Sequence, residues 1–321
     1  MRTQTRRIGS TAIEVTELGF GSSPIGNLFK PVDEDVARAS VETAWKSGIR
    51  YFDTAPHYGL GLAERRLGSV LAQHRRDEYV LSTKVGRVLV ENPTPSGDDL
   101  KEGFAVADTL MRVRDYSRDG VLRCLQGSLE RLGTDRVDIV FVHDPEDHME
   151  AALGEAVPAL LELRDEGVLG AVGAGMTQVQ PLLRFAREAD VDVLMMAGRW
   201  TLMDRTGAAV LDACSERGIS IIAGGPFNSG LLAQPYPVDG AHFDYRPASA
   251  AELAAARELA HTCREHGTTL PHAALQFALR SQAVASVVAG TRTPEHVNAN
   301  VEMIRTPIED GLWRAVSPRE V

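Results

Sequence analysis

Eight times between TELGFG, which ends at Gly21, and TPEHVNANVEMI (293–304), a short apolar run is followed by a stretch of helical spacing. No other feature of the chain limits its folds so sharply. The strand-like runs after the first are IRYFDT (49–54), EYVLSTKV (78–85), RVDIVFVHD (136–144), VLGAVGAG (168–175), VDVLMMAG (191–198), ISIIAGG (219–225) and VASVVAG (284–290). The helical stretches are 33–48, 62–74, 119–133, 150–167, 177–189, 207–218, the pair 249–267 and 270–282, and 293–304; Asp119 is a candidate N-cap. Repeated strand–helix units imply parallel strands, and eight of them suit a closed (β/α)₈ TIM barrel. A doubly wound open sheet is the alternative, but the best dinucleotide fingerprint, GAGMTQ (173–178), lacks its third glycine. With no internal repeat, low-complexity tract or linker, residues 1–321 are expected to form one α/β domain. RRIGSTAIEVTEL reads as an N-terminal β-hairpin plugging one end. About 35 residues separate the third strand from its helix, a loop expected at the catalytic mouth. The tail RTPIEDGLWRAVSPREV is a second candidate to lie across that mouth.

Partners are bounded by charge. The formal net charge of −10 argues against a nucleic-acid backbone. No run has the length and apolarity of a membrane span, and the N-terminus lacks an apolar signal core. Cys124, Cys214 and Cys263 are far apart and show neither metal nor redox spacing. The expectation is a cytoplasmic protein with reduced, packed cysteines, a monomer or small homo-oligomer that acts on a small molecule.

A barrel places chemistry at the C-terminal ends of its strands and in the loops that follow. Asp53 closes the second strand, with Tyr58 just beyond it; Lys84 closes the third and His143 the fourth. Singly, each has an ordinary explanation: a turn cap, a packed aromatic, a surface charge, a structural imidazole. Together, on neighbouring strands, they form a proton-transfer device. A phenol of ordinary pKa about 10 is a weak acid at neutral pH, and a nearby ammonium lowers that value. Asp53 would hold the ammonium, and His143 would hydrogen-bond the reacting oxygen. Such a group suits carbonyl/alcohol interconversion, with a nicotinamide cofactor carrying the hydride.

These residues also carry a resemblance. YFDTAPHYGLGLAERRLG, SLERLGTDRVDIVFVHDPE and STKVG resemble the signatures of the aldo-keto reductases over nearly the whole chain. The resemblance implies a (β/α)₈ barrel binding an extended nicotinamide dinucleotide, with Tyr58 as general acid/base, Asp53 and Lys84 as its tuning pair, and His143 as substrate director. YSRDGVLRCLQGSLERLG, HDPEDH, AGRWTLMD and GGPFNSGLL resemble, more narrowly, the branch holding L-fucose (D-threo-aldose) 1-dehydrogenases and pyridoxal 4-dehydrogenase. There the favoured direction is often oxidation, and a cyclic sugar would yield a lactone.

The loops after the last two strands, 226–232 and 289–300, are where a barrel binds phosphate. Asn228, Ser229, Gly230, Leu231, Gly290 and Thr291 are the candidates there, with Gly21, Arg292, His296 and Asn300 beside them. NADP-dependent members generally have Lys and Arg where this chain has Gly290 and His296, and an acid where it has Ala299. NAD is therefore expected to be preferred over NADP; Arg292 is the counter-argument. At the nicotinamide end, Thr177 or Gln178 would replace the usual Ser-Asn. His57, Asp144, Arg199 and Trp200 are candidates for contacting substrate, although Arg199 could pair with Asp204 or Asp144 instead, and Trp200 could pack under the rim. A metal-dependent hydrolase is disfavoured by the lack of an early His-x-His, and no metal site is expected. A short-chain dehydrogenase is excluded by the lack of Tyr-x-x-x-Lys. A redox sensor or scaffold with little turnover is the remaining rival class.

Overall fold

A computed structural model describes residues 4–316. Strands β1 (Thr5–Arg7) and β2 (Glu14–Thr16) pair antiparallel as the expected hairpin. Eight parallel strands close into a barrel: β3 (Leu18–Gly21), β4 (Tyr51–Asp53), β5 (Val80–Val85), β8 (Ile139–His143), β9 (Ala171–Met176), β10 (Val193–Ala197), β11 (Ser220–Gly224) and β14 (Val284–Gly290). Strand alternation decides which residues face inward. In β4, Tyr51 points into the barrel while Phe52 packs outward; in β8, Ile139 and Phe141 point in and Val140 and Val142 point out. The same alternation brings Asp53 and His143 to the inner wall at the mouth. Ile8 and Val15 join Tyr51, Phe141 and Ile222 in the inner core, so the hairpin seals the opposite end.

The outer layer comprises α1 (Glu34–Lys46), α2 (Leu62–Leu71), α3 (Arg118–Leu132), the segment 149–165, α6 (Val179–Glu188), α7 (Ala208–Arg217), α8 (Ala250–Glu265), α9 (Leu270–Phe277) and α10 (Pro294–Arg305). Asp33 caps α1 by accepting from the Asp35 and Val36 amides. Fully buried Glu64 accepts from Arg131 of α3 at 2.6 Å and from Thr83 of β5 at 2.9 Å, tying α2 to both.

Four expectations need correction. Ser117, not Asp119, caps α3, because its hydroxyl is the one that accepts from the Gly120 amide. The single helix expected over 150–167 is α4 (Met149–Ala151), a π-helical turn over Ala152–Ala156, and α5 (Val157–Asp165). Pro158 lacks an N–H and its ring crowds the carbonyl four residues back, so the backbone widens just before it. The long connection after β5 is not an open loop. It carries an antiparallel hairpin, β6 (Arg87–Glu91) and β7 (Leu110–Arg114), with Arg87 opposite Arg114. A smaller hairpin, β12 (His242–Phe243) with β13 (Arg246–Pro247), follows β11. The tail forms α11 (Asp310–Val316), which packs on α8 rather than across the mouth; its remaining residues lie outside those described.

Cys124, Cys214 and Cys263 are buried free thiols, as expected. Among the described residues, no helix is long and apolar enough to cross a membrane, and no cluster of side chains could hold a metal ion.

Candidate active site

The mouth of the barrel holds a cavity of about 490 Å³. Tyr58, Lys84, His143, Asp144 and His57 line it together with Phe29, Phe104 and Tyr245. At its base lies a buried ion pair. The Lys84 Nζ donates to both Asp53 oxygens, at 2.9 and 2.7 Å, and to the Thr54 carbonyl at 2.9 Å. Ser82 donates to Asp53 at 2.7 Å and lies 3.1 Å from the Tyr51 hydroxyl, so the carboxylate is held from two sides. The pair survives in the core because each ammonium proton has an acceptor and each carboxylate oxygen has a donor.

Tyr58 follows β4 through a turn that only glycine can make at position 59. Gly59 has φ of 62°, and a Cβ there would sit 2.1 Å from the Gly26 carbonyl oxygen. The turn lays the Tyr58 ring over Lys84, whose Nζ is 4.9 Å from the ring centroid, and edge-on to His143 at 6.1 Å. Among the described residues, none hydrogen-bonds the Tyr58 hydroxyl. The ammonium was expected to pull this phenol down. Instead burial, and then the Asp53 carboxylate, hold it well above its ordinary value of 10.

His143 is held neutral. Burial first, and then Arg87 and Lys84, push its imidazole well below the ordinary 6.5. Its Nε2 is 3.5 Å from Asp144, while its buried Nδ1 has no partner among the described residues. Its backbone is fixed by Tyr116, whose hydroxyl donates to the carbonyls of His143 at 2.7 Å and Asp144 at 2.9 Å.

The structure thus brings Asp53, Tyr58, Lys84 and His143 together, with His57 and Asp144 on the same cavity. Two residues expected to touch substrate lie elsewhere. Arg199 is spent on Asp204 at 2.9 Å, Asp244 at 2.8 Å and the Thr177 carbonyl at 2.7 Å. Trp200 packs on Phe277, with ring centroids 5.4 Å apart, and joins the packing between barrel and outer helices. Two residues that line the cavity, Phe104 and Tyr245, and two that hydrogen-bond its His57, Arg87 and Arg112, escaped sequence reading. Arg87 and Arg112 come from the hairpin after β5, Phe104 from its tip, and Tyr245 from the hairpin after β11. The signal for Arg87 was available: a cation two residues after a mostly buried strand requires a partner.

The candidates for a dinucleotide cluster on one side of the mouth. Gly21 ends β3 and pairs with both Asp53 and Gly290. Buried Thr291 Oγ1, Asn228 Oδ1 and Ser22 Oγ lack hydrogen-bond partners among the described residues, which fits a polar ligand beside them. Asn228, Ser229, Gly230 and Leu231 make a tight turn, but the amides of Asn228, Gly230 and Leu231 already point at loop carbonyls. That limits the phosphate donors this turn can offer. Asn300 is buried on α10, whereas His296 is exposed near its start. Arg292 donates to the carbonyls of Leu28 at 2.6 Å and Lys30 at 3.3 Å. Thr177 lines the cavity with Gly175, Met176 and Ala197; Gln178 is exposed at the start of α6.

Comparison with known proteins adds to this geometry. The model of the aldo/keto reductase family matches residues 17–317. The chain is 44% identical to D-threo-aldose 1-dehydrogenase of a Pseudomonas species over 308 residues, covering 95% of this chain and 94% of that protein. It is 37% identical to pyridoxal 4-dehydrogenase of Microbacterium luteolum, covering 97% and 95% of the two chains. L-galactose dehydrogenase of Arabidopsis thaliana is 32% identical, with 94% and 88% covered. Among solved structures, the holo form of an aldo-keto reductase from Bacillus halodurans superposes with a TM-score of 0.76 at 27% identity, covering 98% and 95%.

Proposed function

Because the chain belongs to the aldo/keto reductase family and is an NAD(P)-dependent oxidoreductase, we propose that it oxidises an aldose of the L-fucose (D-threo-aldose) type at C1, giving the lactone, with Tyr58 as general acid/base. The observation that carries the reading is the convergence of Tyr58, Lys84 and His143 on one cavity, with Asp53 paired to Lys84 at its base, in a chain 44% identical to an aldose dehydrogenase. A bound nicotinamide dinucleotide would supply the hydride acceptor. Thr291, Asn228, Ser22 and Asn300 would hold it, with Thr177 toward its nicotinamide end. The chain's own task is the proton. Tyr58 takes it from the anomeric hydroxyl through its phenolic oxygen. Neutral His143 hydrogen-bonds the same oxygen, and with its basicity suppressed it does not compete for that proton. Lys84, held by Asp53, lies beneath the Tyr58 ring, where its ammonium would favour the phenolate that must be present before the proton is taken.

The raised phenol has a consequence whose sign is fixed. Tyr58 keeps its proton to higher pH than a free tyrosine, so the fraction present as phenolate grows throughout the neutral and mildly alkaline range. The kcat/KM for aldose oxidation is expected to rise about tenfold per pH unit from pH 7 upward until that phenol titrates. His143 and His57 stay neutral there and add no limb of their own. A profile flat from pH 7 to 9 would contradict this assignment.

NAD is proposed as the preferred cofactor. Gly290 and His296 carry no permanent charge, and Arg292 already serves two loop carbonyls. Lys30 lies near His296 and, with Arg292, is the route by which a 2′-phosphate could still be held. The ratio of kcat/KM with NAD to that with NADP is expected to exceed one; a ratio below one overturns the preference.

Pyridoxal is the second reading, supported by the aromatic walls Phe29, Phe104 and Tyr245, which suit a pyridine ring. A screen of NAD reduction with L-fucose, D-arabinose, L-galactose and pyridoxal separates the two. The expected order puts an aldose first. Turnover of pyridoxal alone would move the assignment to that substrate, and silence with all four would leave only the oxidoreductase class.

A further inference from the structure

We propose that Arg87 is a positioning residue of this site, gripping the Asp144 carboxylate with one terminal nitrogen and the His57 Nδ1 with the other, so that His57 presents an Nε2–H donor to an oxygen of the bound sugar. The inference deepens the aldose reading and rests on it for the identity of the ligand alone.

Arg87 opens β6 only three residues after Lys84 and is buried against His57 and Asp144, both of which line the cavity. Its Nη1 lies 3.2 Å from His57 Nδ1, and its Nη2 donates to Asp144 Oδ2. A guanidinium does not surrender its proton, so the ring nitrogen facing it must accept. A neutral imidazole carries one N–H, which therefore sits on Nε2. The groups around His57 favour the neutral form. Arg87 and Arg112 are close, Lys84 and Arg114 lie further off, and the two nearby carboxylates are already engaged, Asp144 by Arg87 and Asp99 by Arg112 at 2.6 Å. Arg112 also donates to the His57 carbonyl at 2.8 Å, fixing the backbone beneath the ring.

The arrangement is built rather than incidental. Asp144 adopts a left-handed backbone, φ 43°, which a non-glycine residue holds only when its surroundings impose it. The Tyr116 hydroxyl binds the carbonyls on both sides of that peptide, and Gly86 is what admits Tyr116: a Cβ at position 86 would lie 2.2 Å from its ring. From this backbone position the Asp144 carboxylate meets Arg87. The result is a wall with polarity but little net charge, since each arginine on it is matched by a carboxylate. That suits an uncharged, hydroxyl-rich substrate better than a phosphorylated sugar.

The test reads the tautomer directly. In long-range ¹H–¹⁵N spectra of the full chain labelled with [¹⁵N]histidine, without substrate, His57 is expected as the pure Nε2–H form, and still neutral at pH 6. In Arg87→Met it is expected to lose that fixed tautomer and to titrate nearer the ordinary imidazole range. The same variant should raise KM for the aldose by about 10- to 100-fold, the scale of one lost hydrogen bond to a buried group. Its kcat should fall by a smaller factor than KM rises, because Tyr58 and the Lys84–Asp53 pair are untouched and burial remains the main cause of the neutral His143. Arg87→Lys keeps the charge but replaces the planar two-nitrogen fork by one nitrogen, which cannot reproduce the geometry toward both partners, so it should fall between the two. An Nδ1–H tautomer in the parent protein overturns the proposal, as does an Arg87→Met variant whose kcat falls while KM and tautomer stay unchanged. The parent spectrum decides even if Arg87→Met fails to fold. It also needs no substrate, so a wrong aldose assignment cannot imitate its failure.

Discussion

Lys84→Met is expected to lower the unfolding free energy by about 3–5 kcal/mol, the scale measured when one partner of a buried ion pair is removed. The Lys84 and Asp53 side chains are 2% and 3% exposed, so neither has water to replace a lost partner. With the ammonium gone, Asp53 keeps only the Ser82 hydroxyl at 2.7 Å, and the Thr54 carbonyl loses its donor. Guanidinium unfolding followed by circular dichroism reads the change as a lower midpoint at unchanged slope. The double variant Lys84→Met/Asp53→Leu separates charge from packing. Removing both charges should recover a good part of the lost stability while leaving turnover abolished, because no carboxylate is then stranded. A single variant as stable as the parent would mean that Lys84 and Asp53 are not the paired core of the site.

Tyr58→Phe is expected to behave in the opposite way. Its kcat should fall by about 10²- to 10⁴-fold, the usual worth of a positioned acid/base. Stability should hardly move, since no described residue hydrogen-bonds the hydroxyl and the ring keeps its contacts with Phe104 and His143. Dinucleotide affinity, followed by quenching of intrinsic fluorescence, should stay within a few-fold of the parent. The alkaline rise in rate should vanish along with the phenol. Near-normal turnover in this variant would remove Tyr58 from the mechanism.

Much of this could be read from the chain before any coordinates, and the reason is periodicity. All eight barrel strands are announced by apolar runs, and inward alternation along three of them fixes where Asp53, Lys84 and His143 must point. What periodicity does not carry was harder to read. The π-helical turn before Pro158 interrupts a run whose helical spacing looks continuous. The β6–β7 hairpin lies inside a segment rich in turn residues, and its cross-strand pairing, Arg87 opposite Arg114, is non-local. Arg199 and Trp200 follow a barrel strand as mouth residues do. Yet Asp244, contributed by the separate hairpin loop after β11, draws the arginine away, and Phe277 of α9 covers the tryptophan. The direction of the Tyr58 shift was misread because burial of the phenol, and then the Asp53 carboxylate, dominate it, and spacing does not express how deeply a loop residue is buried.

The most direct test of the central claim is product analysis after incubating the protein with NAD and L-fucose, D-arabinose or L-galactose. Stoichiometric NADH and the corresponding aldonolactone are expected from at least one sugar with the parent protein, and neither from Tyr58→Phe. Absence of lactone with every sugar, or equal lactone formation by the two proteins, would contradict the account.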